Sequence, residues 1–141
     1  MHRRSALLAA VPLVALAAAL GGCSAEGVST ADVTVRADGV PFTFEVPPEF
    51  TDEQVGERDT RGDVVLVRAL DKVDVIAVRR VGGATLPAGD VPGRVLGKAV
   101  TSRLHAVPGA PGWALECQWT AARRGHVLDA CAKAVRTLRL R

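Results

Sequence analysis

The chain has 141 residues, 48% of them apolar and 4% aromatic, with 18 Lys and Arg against 15 Asp and Glu. A surplus of three positive charges excludes the dense basic surface by which proteins hold nucleic-acid phosphates. The absence of Asn excludes N-x-S/T glycosylation, and 15 Arg against three Lys, with one Ile and no Tyr, mark the bias of a very GC-rich genome.

The N-terminus reads Met1-His2-Arg3-Arg4, then runs apolar from residue 6 to residue 20. A short basic start followed by about 7–15 apolar residues and small residues is the pattern of an export signal. The run holds 15 residues with Pro12 inside it, short of the roughly 20 that cross a bilayer. Arg3-Arg4 fits the general secretion route and also, loosely, a twin-arginine signal. Leu20-Gly21-Gly22-Cys23 resembles the bacterial lipobox. The resemblance implies diacylglyceryl in thioether linkage on Cys23, cleavage before it, and often a further acyl chain such as palmitate on the new amino terminus. More than one chain is needed because a single one anchors only marginally. The expected divisions are therefore a signal peptide at 1–22, a lipidated tether at 23–31 and one domain at 32–141. The mature 119 residues carry 16 basic against 15 acidic groups. Residues 26–74 hold 12 acidic and five basic residues, and 75–141 hold three acidic and 11 basic, so a basic face toward anionic headgroups is one reading and interleaved halves the other.

Val33 and Val35 alternate with polar neighbours and predict a first strand, and Asp38-Gly39 is a turn signal. Val40, Phe42, Phe44 and Val46 alternate with Thr43 and Glu45, a second strand stopped by Pro47-Pro48. Residues 51–63 read as a charged loop. The β-branched runs at 64–69 and 73–81 predict central strands buried on both faces, joined by a turn at Asp71-Lys72. Residues 82–89 are loop. Asp90 is then expected to cap a helix over 91–106, with Val95, Leu96, Ala99, Val100 and Leu104 inward. Trp113, Leu115, Cys117 and Trp119 alternate along one face of a further strand. Thr120 is placed to cap a second helix bearing Val127, Leu128, Cys131, Val135 and Leu138, with a last short strand at 138–140. The order predicts an α+β fold: an antiparallel β-sheet of about five to six strands packed by two helices.

Acylation of Cys23 leaves Cys117 and Cys131, an even pair in an oxidising compartment. Each lies on the apolar side of its element, and the two elements are consecutive, so a Cys117–Cys131 disulfide is expected across the strand–helix layer.

Three stretches now carry a resemblance. Val40-Pro41-Phe42-Thr43-Phe44-Glu45-Val46-Pro47-Pro48-Glu49-Phe50 is similar to the opening strand of PsbP-like domains. Glu116-Cys117-Gln118-Trp119-Thr120 followed by Ala130-Cys131 resembles the C-terminal end of actinobacterial lipoproteins of the LpqN type, in which the cysteines join the last long strand to the final helix. The lipobox at Cys23 is the third. The family has a further strand between its first helix and the cysteine strand, for which residues 106–112 are too short. The resemblance implies a PsbP-like α/β sandwich and carries over no catalytic residue.

The histidines offer no metal-ligand spacing: His105 reads as the C-terminal residue of the first helix and His126 as a solvated helix residue. No serine stands in a G-x-S-x-G setting. Glu49, Asp52, Glu53, Glu57, Asp59 and Asp63 lack the spacing of a calcium loop. The expectation is a cell-envelope lipoprotein on the extracytoplasmic face of the cell membrane, without catalysis, metal or cofactor. Its domain would contact another envelope protein. The alternative is a carrier that holds a lipid or other apolar ligand between sheet and helix, with Phe42, Phe44 and Trp113 as the ligand-binding residues.

Overall fold

The computed structural model describes residues 30–55 and 63–141. The expected signal peptide, Cys23 and the rest of the expected tether to residue 29 lie outside the described residues, as do Glu57 and Asp59 of the acidic loop.

Nine strands and one α-helix make up the described chain. Strands β1 (Val33–Val35) and β2 (Phe42–Val46) form an antiparallel hairpin with Val33 opposite Val46. Its turn closes through the Val40 amide donating to the Ala37 carbonyl, with Gly39 at φ 79°. Phe42, Phe44 and Val46 are buried while Thr43 and Glu45 are half-buried, as the period of two predicts. The chain's last strand, β9 (Arg139–Leu140), returns to the free side of β2, pairing Phe42 with Leu140.

The larger sheet has six strands, all antiparallel, in the order β3-β4-β5-β8-β7-β6. Strand β3 (Thr51–Glu53) emerges from what reads as loop in the sequence and pairs with β4 (Val64–Ala69). Strand β5 (Val75–Arg80) lies between β4 and β8 (Trp113–Trp119), and its first four residues are buried, which explains their unbroken apolar run.

One expectation fails outright. Residues 91–106 form no helix; they are the hairpin β6 (Val91–Val95) and β7 (Lys98–Ala106). The turn is Leu96-Gly97, with φ values of 51° and 77°, the two-residue reversal whose twist suits a hairpin. Gly93 and Gly97 would each have weakened a helix, whereas β7 as a strand satisfies the backbone of β8 along six residue pairs. Asp90 caps nothing: its carboxylate takes a forked pair from Arg103 at 2.7 and 3.1 Å.

The described residues therefore hold one α-helix, α1 (Arg124–Arg136), where two were expected. A single 3-10 turn (Ala121–Arg123) precedes it. Thr120 does not cap with its side chain; its hydroxyl and amide both donate to Asp74. At the other end the Thr137 hydroxyl donates to the Lys133 carbonyl and accepts from the Glu45 amide, tying α1 to β2. A 13-residue helix is marginal alone in water. Its formation rests on burying Val127, Ala130, Cys131 and Ala134 against Ile76, Val78, Leu115 and Cys117, in a core shared with Phe42 and Phe44. Leu128, Val135 and Leu138 are partly buried beside them. Both α1 and the small sheet thus cover one face of the large sheet. On its other face Val67, Ala69, Val75 and Ala77 make a second, smaller cluster. No helix among the described residues is long and apolar enough to cross a membrane.

Candidate binding site

At one end of the layer between sheet and helix the packing stays open. The end of β7, the following turn, the last turn of α1 and β9 enclose a groove of about 390 Å³. Its walls are mainly apolar: Phe42, Val107 and Pro108 on one side, Val135, Leu138 and Leu140 on the other. His105 and Arg139 supply the polar side chains. Leu140, 57% exposed, forms the lip and leans over Gly109, where an added Cβ would lie 2.6 Å from its Cδ1. Gly109 itself has φ 80°. A side chain there would collide with the lip in addition to straining the turn.

Of the three residues expected to hold a ligand, only Phe42 reaches this groove. Phe44 is fully buried with its ring 6.3 Å from that of Phe42, and Trp113 meets Phe42 edge-on at 6.1 Å. Those two are core, and the Arg80 guanidinium lies over Trp113 at 5.1 Å. Trp113 opens β8 opposite Arg80, and the Phe42 ring it packs against is the one that reaches the groove.

The disulfide between Cys117 and Cys131 is present, with Cα atoms 6.1 Å apart. His105 borders it. The misplaced helix had put this residue at a helix terminus; in fact it sits on β7, opposite Leu115, on the face turned to α1. Its Nε2 lies 3.4 Å from Cys131 Sγ. Burial, and then the positive charge of Arg103, push the His105 pKa down, so the ring is neutral at neutral pH. Among the described residues, His105, Cys117 and Cys131 are the group of three whose donor atoms converge, all within 4.8 Å of one another. Sequence spacing hides this trio, because 26 residues separate His105 from Cys131 and only strand pairing brings them together. Alternation of Val100, Ser102 and Leu104 on one side with Arg103 and His105 on the other was the signal available.

Several other charged groups pair off. His126 is not merely solvated: its Nε2 meets Glu49 Oε1 at 2.8 Å, and its ring stands edge-on to Phe50. That contact, above all its hydrogen bond, holds the Glu49 carboxyl below the usual carboxylate range. Asp63 takes Arg79 Nη1 at 2.6 Å. Arg79 Nε sits 3.1 Å from Glu116 Oε2 but out of line for a hydrogen bond, an ion pair that neutralises the buried Glu116. Asp63, Arg79 and Glu116 line a second, more polar hollow of about 590 Å³ on the opposite face of the sheet. Glu49 and Asp63, at the two ends of the acidic stretch, therefore turn to separate partners.

No family model, no curated protein and no solved structure matches this chain.

Proposed function

We propose that this protein is an envelope lipoprotein, held through lipid on Cys23 at the extracytoplasmic face of the membrane, whose PsbP-like domain binds an apolar ligand and catalyses nothing. The groove between sheet and helix carries this reading. It has the size of small-ligand sites, roughly 300–1,000 Å³, and their character of apolar walls with few polar groups. Arg139 at its edge, donating only to its own neighbour's carbonyl, favours an acyl chain with an acidic head. A sheet of six antiparallel strands covered on one face by a helix accords with the PsbP-like resemblance.

The test is binding of a fluorescent fatty acid to the purified lipoprotein, together with extraction of whatever co-purifies from its own membranes. Saturable binding that Val135→Trp abolishes, by filling the groove, is the expected result. Equal binding by both proteins would remove the groove from consideration.

A second reading, contact with an envelope protein, has its own support. Strand β6 is an edge strand, largely exposed along its length, and Val91 and Leu96 stand out from it and its turn. An extended segment of a partner could add there as a further strand. Crosslinking in the envelope through a photoreactive residue at Arg94 tests it.

A further inference from the structure

The trio of His105, Cys117 and Cys131 has a ligand set that the disulfide conceals. We infer that reduction of the disulfide opens a metal site in which the two sulfurs and His105 Nε2 take one thiophilic closed-shell cation. The geometry is already near what such an ion requires. With metal–nitrogen bonds of about 2.0–2.1 Å and metal–sulfur bonds of about 2.3 Å, tetrahedral ligands sit roughly 3.5 Å apart for nitrogen and sulfur and about 3.8 Å apart for two sulfurs. The His105 Nε2 to Cys131 Sγ distance is 3.4 Å. Cα atoms 6.1 Å apart let the sulfurs separate by side-chain rotation while β8 and α1 stay in place.

The chemistry balances. A dithiol protein, or two molecules of a small thiol, supplies two electrons; the Cys117–Cys131 bond breaks, a disulfide forms in the reductant, and each cysteine gains a proton. The cation then displaces both protons, and the neutral imidazole gives its lone pair from Nε2. Two thiolates cancel the charge of Zn²⁺, whereas Cu⁺ would leave one net negative charge in a buried place, so the burial of Cys117 and Cys131 favours zinc. Access comes through the groove, because His105 forms part of its wall and touches the sulfur behind it. Three protein ligands leave a fourth position for water or for a ligand in the groove.

The experiment uses the full chain carrying Cys23→Ser, so that Cys117 and Cys131 are the thiols present, kept in detergent and reduced without oxygen. Zinc chloride is titrated against a chromophoric chelator, with Co²⁺ as a spectroscopic substitute and Cu⁺ in a parallel arm. The expected result is one Zn²⁺ per reduced chain, none per oxidised chain, and affinity about tenfold or more lower in His105→Ala and His105→Gln. Cobalt should give a tetrahedral spectrum with sulfur charge-transfer bands. Should reduction loosen the fold, as near-ultraviolet circular dichroism would reveal, Zn²⁺ must restore it. Equal uptake by the His105 variants, uptake without restored fold, or preference for Cu⁺ over Zn²⁺ would each overturn the site as described.

Discussion

Asp74 Oδ1 accepts two hydrogen bonds from a single residue, the Thr120 amide at 2.6 Å and the Thr120 hydroxyl at 2.9 Å, and so fastens the turn before β5 to the start of the helical segment. Asp74 is 1% exposed. Asp74→Ala strands both donors and should cost about 1–3 kcal/mol. Asp74→Asn keeps an oxygen in place and should cost much less. Burial, and next the neighbouring Asp71, raise the Asp74 pKa above its ordinary value. The folded state therefore binds this proton more readily than the unfolded one, and the contribution of Asp74 to stability grows as pH falls through its folded pKa toward about 3.9. Urea denaturation across pH should show that component vanish in Asp74→Asn.

The hairpin of β6 and β7 gives a test with opposite signs for the two readings of residues 91–106. Gly97 has φ 77°, so Gly97→Ala should lower stability by about 1–2 kcal/mol. In a helix the same change would raise it by about 1 kcal/mol. Leu96, at φ 51° and 65% exposed, adopts a conformation that suits Asn better. Leu96→Asn should stabilise by roughly 0.5–1 kcal/mol. Thermal denaturation of the two variants checks both.

The disulfide closes a loop between residues 14 apart. Replacing both cysteines by Ala should cost about 3 kcal/mol, read from urea denaturation with the slope fitted separately, since the unfolded chain expands once the cross-link is gone. Thiol counting on the unfolded, unreduced mature chain should find Cys117 and Cys131 unreactive.

Glu49 and His126 make a pH-sensitive clasp between the segment after β2 and the first turn of α1. The folded Glu49 carboxyl titrates below its unfolded value of about 4.3, so its contribution is whole above that pH and is lost as pH falls through the folded pKa. Glu49→Gln should lower stability by a constant amount above about pH 4.3 and flatten the acid limb below it. A steeper limb in the variant would show that the contact opposes folding.

Much of the fold was legible because burial follows simple periods. The alternation at Phe42, Phe44 and Val46, the two-sided apolar run of β5, and the cysteine strand and its helix all follow from it. The hairpin at 91–106 was not, because Val95, Leu96, Ala99 and Val100 also satisfy helical spacing. The deciding facts are a Leu-Gly turn with both φ values positive and the vacant edge of β8, and only tertiary structure supplies the second. That one error hid the site as well. With His105 on a helix end, nothing placed it beside Cys131, and the groove bounded by β7 and β9 had no wall. The failure of Phe44 and Trp113 to reach a ligand has the same root, since apolar aromatic residues on a strand face look alike whether a helix covers them or a groove does.

Strand β9 ends one residue before the chain does and pairs with β2, bringing Leu140 opposite Phe42. The small sheet thus joins residues 33–46 to residues 139–140, and the groove has no lip until the two meet. The local hairpins can form early, whereas this layer closes only through a long-range pairing. Closing the layer therefore depends on a pairing between segments far apart in the sequence, and replacing Leu140 by a small residue would leave a core that opens at the groove.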